Sequence, residues 1–494
     1  MAGLFSADAW NKVWTFRGTF LLGLGNTAAT AVFALVLALA LGILFGLYAT
    51  SGKRPLAFVA RVYVEVIQNT PVLLQMCFLY YALAFSGNSI GIINTGILTL
   101  GIYHGAYMAG VVRAGIEAIP RGQFEAAASQ GFGYLRQMYY IILPQSIKII
   151  LPPMVNQVVN LIKNTSCLYI VGGADLISVT YSFVTGENTG GAYAPAYLVS
   201  GLMFFIVCCP LSSLASMWEI SLKKRDVRTG RPAKSLERVG LEMEQIKGSL
   251  TMITNPAVFA YVMKGVAFTV IISVVAVVCG ILFGSILAMV RNYCTTKKTR
   301  AFQWLSVIYI EIFRNTPLLL WIFICLVFCP CPRALEHKMW GLSSAEVKLL
   351  FKTAVAPVLF TSSVIAEIVR GGLNSVAHGQ FEAGHSQGFS TVQIMLYIVL
   401  PQAFRSIVPT LLSQVITTIK DSSYLANVAT IELMSRVKKL LSSAHRYNGL
   451  NTVNVSDVFV LFGFACLIYF VINFSLSCVV RQMQKRKKTV PVKR

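Results

Sequence analysis

The chain has 494 residues, of which 56% are hydrophobic and 12% charged, and a mean hydropathy of +0.67. Soluble domains carry about 25% charged residues; a water-soluble globule could not hide this much apolar surface, so the composition predicts an all-α polytopic membrane protein. The net charge of +23 does not point to nucleic acid, because the basic residues gather at segment ends and in one polar stretch, where the positive-inside rule places them.

The first residues, MAGLFSADAWNKVWTFRGTF, lack the basic start and short apolar core of a signal peptide. Residues 28–47 and 265–290 hold no charged residue, and each run meets the roughly 20 residues needed to cross about 30 Å of hydrocarbon. Five spans are predicted in the first half, near 20–50, 61–86, 94–113, 150–172 and 195–219. The stretch 223–249 is too charged to span. Five more spans follow, near 258–291, 304–329, 349–369, 406–430 and 456–480. Pro152-Pro153 and Pro409 predict kinks in the fourth span of each half, which suits a helix lining a path. The eleven cysteines lie mostly inside apolar runs, where they behave as small hydrophobes. Cys329 and Cys331, in CPCP, have no histidine set beside them, so neither a disulfide nor a metal site is expected.

The halves repeat one another. LGILFGLYA (41–49) answers CGILFGSIL (279–287), YVEVIQNTPVLL (63–74) answers YIEIFRNTPLLL (309–320), and LIKNTSCL (161–168) answers TIKDSSYL (418–425). Between Gly122–Phe132 and Gly379–Phe389, nine of eleven positions are identical at a spacing of 257 residues. The order is conserved, which predicts a duplication: a first module over 1–222, a polar basic linker over 223–249, a second module over 250–480 and a basic tail over 481–494.

Lys53, Arg54, Arg61, Arg121, Arg136 and the linker share one side in the first half, while the loops 87–93 and 173–194 have no Lys or Arg. That places the first polar segment in the cytoplasm and the N-terminus outside. Five spans separate the two polar segments, which would put them on opposite faces. From Arg291 onward, thirteen basic residues against eight favour both segments inside. A further crossing is then required, and the long segment 256–291 is the candidate.

The polar segments themselves, RGQFEAAASQGFGYLRQMYYIILPQ (121–145) and HGQFEAGHSQGFSTVQIMLYIVLPQ (378–402), read as more than solvated loops. Gln123 to Gln130 is a strong helix former bracketed by Gly122 and Gly131. A short helix that stops at glycine and restarts suits a docking element on the membrane surface, with Phe124 and the alanines as a knob.

This pattern resembles the EAA loop of permease subunits in bacterial ATP-binding-cassette importers, above all the polar amino acid branch. The matching residues are Gly122, Gln123, Phe124, Glu125, Ala126 and Gly131, with Leu143-Pro144-Gln145, and Gly379, Gln380, Phe381, Glu382, Ala383 and Gly388, with Leu400-Pro401-Gln402. NTPVLLQ, NTPLLLW, LIKNTS and TIKDSS are similar to further elements of that branch. The resemblance implies two five-span modules fused in one chain in the bacterial inner membrane. It also implies a cytoplasmic ATPase dimer gripping the two polar helices, an extracytoplasmic solute-binding protein and an amino acid substrate. ATP and Mg would sit on the partner ATPase. The nearest thing to a phosphate loop here is Gly52-Lys53, which lacks the glycine five positions earlier, so the chain binds no cofactor of its own and is not an enzyme.

Ionisable residues inside spans are expensive and need a reason. Glu65 and Glu311 have Arg61 and Arg314 within a turn and suit ion pairs. Lys163, Asn164 and Thr165, and Lys420, Asp421 and Ser422, lie deeper. A lysine there suits a substrate carboxylate, and Asp421 or Glu367 suits its ammonium; a self-satisfied polar cluster is the alternative. Asp175 and Glu432 either meet substrate or cap a helix. The basic run 436–446 reads as solvated charge. The departures between copies, Gln68 against Arg314, Gly110 against Glu367 and Ala127-Ala128 against Gly384-His385, make the halves unequal. Three rival functions remain: an importer of the same type for another small polar solute, an ion-coupled secondary carrier with duplicated halves, and a membrane scaffold that docks ATPases without transporting.

Overall fold

The computed structural model describes residues 6–88, 90–187, 191–222, 252–294, 296, 299–339, 341–390, 393–447 and 452–488. The predicted linker over 223–249 and the last six residues of the tail lie outside them. The described residues are helical apart from turns, loops and one isolated bridge between Met339 and Leu342. Among the described residues, eight helices are long and apolar enough to cross a membrane, or ten if each of two bent pairs is one span. Their contacts form two compact units. One comprises the chain to Met252 with Asn315–Pro317 and Ala444–Phe462; the other comprises Ile253–Arg314, Leu318–Ser443 and the chain from Gly463.

The first unit opens with α1 (Ala7–Thr15), α2 (Arg17–Thr50), α3 (Arg54–Gln68), α4 (Val72–Phe85) and α5 (Ile92–Glu117). The polar helix α6 (Arg121–Ser129) and the short α7 (Tyr134–Gln137) follow. A π-helical turn over Met138–Ile142 leads into α8 (Leu143–Asn164). A 3-10 segment over Thr165–Val171, then α9 (Leu176–Thr185) and α10 (Tyr193–Leu222), complete it. The second unit holds α11 (Pro256–Tyr293), α12 (Arg300–Asn315), α13 (Leu318–Phe328), α14 (Ser344–Leu373) and α15 (His378–Ser386). A π-helical turn over Ile394–Val399 enters α16 (Leu400–Asp421), followed by a 3-10 segment over Ser422–Val428 and α17 (Leu433–Ser442); of α18 (Val455–Lys488), the part up to Phe462 belongs to the first unit and the rest to the second.

Small residues set the helix pairs. On α2 a Cβ at Gly42 would come within 2.6 Å of Met108 Cβ on α5, and one at Gly46 within 2.6 Å of Val112 Cβ. On α11 a Cβ at Gly284 would lie 2.7 Å from the Ser362 carbonyl oxygen of α14. The shared Gly-x-x-x-Gly spacing of GILFG lets the backbones close in where lipid offers no hydrophobic drive.

Two expectations change. The predicted second spans are not straight helices: α3 meets α4 at 100° and α12 meets α13 at 112°. Pro71 lacks an amide hydrogen and disfavours helix at Thr70. The carbonyls left at the break are met by side chains. Asn69 Nδ2 donates to Glu65 O at 2.7 Å, Thr70 Oγ1 to Val66 O at 3.1 Å, and Gln75 Nε2 to Ile67 O at 3.1 Å. This is why NTPVLLQ carries three polar residues in a greasy segment. In the second repeat Trp321 replaces Gln75 and stacks on Phe313 at 4.0 Å. The second change concerns the further crossing. Pro256–Tyr293 is one continuous helix of 38 residues, with no turn at which a second passage is folded in.

Candidate functional site

The two repeated polar segments fold alike. Each short helix begins after an extended residue, Pro120 or Ala377, and has no side-chain cap. Each ends in a Schellman motif. Gly131 N donates to Ala128 O at 3.0 Å and Phe132 N to Ala127 O at 3.1 Å; Gly388 N donates to His385 O at 2.9 Å and Phe389 N to Gly384 O at 3.1 Å. The motif needs a left-handed residue after the helix, and Gly131 (φ 78°) and Gly388 (φ 81°) supply it. Gly122, Gln123, Glu125 and Ala126 are exposed on α6, and Gly379, Gln380, Glu382 and Ala383 on α15. Phe124 and Phe381 are half-buried. Phe381 packs, with Phe389, against a core that includes Ile365, Ile394 and Ile407.

The inner faces differ. Ala127 is buried on α6, and Gln137 behind it donates Nε2–H to Phe124 O at 2.6 Å. In the second repeat Gly384 stands at the place of Ala127 and the fully buried Ile394 at that of Gln137. A Cβ on Gly384 would lie 2.7 Å from Ile394 Cγ1. Ala127 therefore faces inward and is not part of an outward knob. The role of Gln137 could have been read from its alignment with an isoleucine.

The membrane-embedded candidates sit where α8 and α16 tighten into 3-10 segments. Thr165 Oγ1 donates to Ile162 O at 2.7 Å and Ser422 Oγ to Ile419 O at 2.8 Å, so both hydroxyls satisfy carbonyls at a helix end. Lys163 and Asn164 are half-buried, Lys420 is buried and Asp421 half-buried. Asn164 Nδ2 lies 3.1 Å from Nε2 of His104, a buried imidazole on α5. Sequence reasoning missed His104, although an imidazole in an apolar span was signal enough. At its repeat position α14 has Thr361, whose hydroxyl is 3.5 Å from that of Thr418.

Glu367 is engaged elsewhere. It bonds Arg291, and Arg370 Nη2 lies 2.7 Å from its Oε2. Arg291 Nη2 also lies 4.0 Å from Glu311. In the first repeat Gly110 stands at the place of Glu367, and Arg113 pairs with Glu117 at 2.7 Å.

Asp175 and Glu432 both cap helices. Asp175 accepts from Ile177 N at 3.0 Å and from the Ser178 hydroxyl. Glu432 accepts from Met434 N at 2.8 Å and from Ser435 N, with Tyr469 OH 3.4 Å away. Burial pushes the Glu432 carboxyl up to about 8 and that of Asp175 to about 6, against amide and hydroxyl bonds that pull both down. Arg436 is buried, not solvated: it donates to Tyr261 O at 2.8 Å and lies over the Tyr261 ring.

A family model described as binding-protein-dependent transport system inner membrane component matches residues 38–217 and 280–489. The chain is 35% identical over 202 residues to the probable glutamine ABC transporter permease protein GlnM of Bacillus subtilis, covering 41% of this chain and 92% of that one. It is 31% identical over 205 residues to the arginine transport system permease protein ArtQ of the same organism, covering 41% and 92%. To the glutamate transport system permease protein GluD of Corynebacterium glutamicum it is 30% identical over 243 residues, covering 47% and 85%.

Proposed function

Because the chain belongs to the family of binding-protein-dependent transport system inner membrane components, we propose that it is the fused two-module permease of an ATP-binding-cassette importer for polar amino acids. It is a multi-pass inner-membrane transport protein and not an enzyme. The two matches of one family model support two modules, over 1–222 and 250–480, joined by the linker and followed by the basic tail. Relatives named for glutamine, arginine and glutamate transport support an amino acid as cargo.

The observation that carries the coupling reading is the pair of Schellman-stopped helices, α6 and α15. Each keeps its apolar side on its own unit and leaves Gln123, Glu125 and Ala126, or Gln380, Glu382 and Ala383, exposed. Such a surface suits the groove of a cytoplasmic ATPase, one protomer to each helix. Closure of the ATPase dimer on ATP would draw the two helices together and so favour one state of the permease over another. A solute-binding protein would deliver the amino acid from the other side. Lys163, Asn164, Lys420 and Asp421 are the residues proposed to meet it.

The test is a mild-detergent pull-down of the tagged chain, with uptake of radiolabelled amino acids in the same cells. The wild type should recover an ATPase and import an amino acid, and the double variant Glu125→Arg/Glu382→Arg should do neither. Uptake retained in that variant and abolished by collapse of an ion gradient would establish the secondary carrier instead.

A further inference from the structure

The helix α8 is exposed on two sides that differ in chemistry. Ile147 and Leu151, 49% and 42% exposed, form an apolar side. Asn156 and Asn160 are exposed as well. Nine positions, about two and a half turns of 3.6 residues, separate Ile147 from Asn156 and Leu151 from Asn160, so the asparagines face away from the apolar pair. Both asparagines fall near the middle of the candidate span Met138–Val171. Among the described residues neither amide has a hydrogen-bond partner. A side-chain amide carries two N–H donors and an acceptor oxygen, and hydrocarbon satisfies none of them. The apolar side suits lipid. The asparagine side needs water or a polar ligand.

The repeat supplies the comparison. In α16 the apolar side is kept, with Phe404 at the place of Ile147 and 55% exposed. At the places of Asn156 and Asn160 stand Ser413 and Thr417. Their hydroxyls stay on their own helix: Ser413 Oγ donates to Pro409 O at 3.2 Å and Thr417 Oγ1 to Ser413 O at 3.2 Å. The first copy thus offers two unspent amides where the second offers hydroxyls already donating. Residues four apart on a helix lie about 5–6 Å from each other between Cβ atoms, close enough for both amides to reach one small solute. An amide is uncharged, so the pair recognises by hydrogen bonding and not by ion pairing.

We propose that Asn156 and Asn160 line a water-filled path along the first repeat and hold the passing amino acid by hydrogen bonds to its polar groups, a part that Ser413 and Thr417 do not play in the second. The contact with an amino acid rests on the reading above; the water-filled lining does not. A lining of this kind favours a solute whose side chain gives and takes hydrogen bonds, such as glutamine, over an apolar one of similar length.

Two measurements test the two halves. The variants N156C, N160C, I147C and L151C of the full chain in membranes are treated with a positively charged, water-soluble methanethiosulfonate, and mass spectrometry of the peptides locates the label among the native cysteines. N156C and N160C should be modified, and more slowly with L-glutamine present, while I147C and L151C should stay unmodified. Equal labelling of the two sides, or no labelling at 156 and 160, overturns the lining. Uptake of radiolabelled L-glutamine by cells holding the whole transporter tests the contact. N156A/N160A should raise KM by about tenfold or more, the scale of two neutral hydrogen bonds lost. N156S/N160T, which installs residues that the second copy already folds with, should raise it as well, with the amount of chain in the membrane unchanged. An unchanged KM in both double variants overturns the contact. A wild type that takes up none of glutamine, glutamate and arginine sinks the amino acid reading and the contact with it, and the labelling then decides the lining by itself.

Discussion

Gln137 donates its amide hydrogen to the carbonyl oxygen of Phe124 at 2.6 Å, and Ile394 fills the same place of the second repeat with its chain against Gly384. The two polar helices are thus held from behind by different means, a hydrogen bond in one and apolar contact in the other. What changes at one position is answered at its neighbour: the larger Ala127 goes with Gln137, and the missing Cβ of Gly384 makes room for Ile394.

Gly384→Ala is expected to destabilise α15, because its Cβ meets Ile394 Cγ1 at 2.7 Å and Ile398 Cδ1 at 3.2 Å. Overpacking of this kind costs about 1–3 kcal/mol. Gly384→Ala combined with Ile394→Ala should recover part of that loss. Protease sensitivity of the 378–402 segment in nanodiscs measures it, and an unchanged cleavage rate in Gly384→Ala would contradict the packing described.

Replacement of Gly131 or Gly388 by alanine forces an L side chain into the left-handed region and should cost about 1–2 kcal/mol at each site. Asparagine, which visits that region more readily, should be milder. In the complex proposed above, substrate-stimulated ATPase activity is the readout: the alanine variants should uncouple it more than the asparagine ones. Equal effects of the two residues would point to something other than backbone conformation.

Glu367 stands between Arg291 and Arg370 with its side chain 17% exposed. Glu367→Gln leaves two guanidinium groups without their shared carboxylate, and loss of one partner of a buried pair costs about 3–5 kcal/mol. Partial exposure places the expected loss at the lower end of that range, seen as a lower midpoint of thermal unfolding. Arg113→Gln in the first repeat breaks a pair whose partners are each more than a third exposed, so its effect should stay within about 1 kcal/mol.

The Glu432 carboxyl, raised by burial to about 8, has an ordinary value near 4.3 when the chain unfolds. The native state therefore holds a proton that the unfolded state has released, and native stability falls as pH rises from about 4.5 to 8. Asp175, raised to about 6, adds a smaller slope of the same sign from about 4 to 6. Glu432→Gln should flatten the decline in thermal midpoint between pH 5 and 8. A variant whose midpoint fell as steeply as the wild type would show that this carboxyl is not the source.

Much of this was legible in the sequence. Ten apolar stretches, the repeat, and the helix that stops at Gly131 follow from hydropathy, identity and the conformational need for glycine. The bend at Asn69-Thr70-Pro71 was not read, because hydropathy treats 61–86 as one run and the proline signal within NTP was used only for resemblance. The inward turn of Ala127 was missed because a helix former of alanines shows no apolar stripe by which to orient it. Glu367 read as a substrate partner while Arg291 and Glu311, distant in sequence and adjacent in the fold, were unseen. His104 carries the same signal as the lysines and carboxylates, because a buried imidazole in an apolar span also needs a reason.

The pairing of Ala127 with Gln137 and of Gly384 with Ile394 also bears on how such a chain changes over generations. In an assembly of identical subunits every substitution is made twice, and a compensating neighbour must suit both places at once. Here each substitution lands once. A glycine can appear on the inner face of one helix and be answered by an isoleucine behind it, while the other helix keeps its alanine and its hydrogen bond. On the proposed reading of two fused modules, each copy is released from the history of the other, and the same freedom is open to His104 and Asn164 against Thr361 and Asp421.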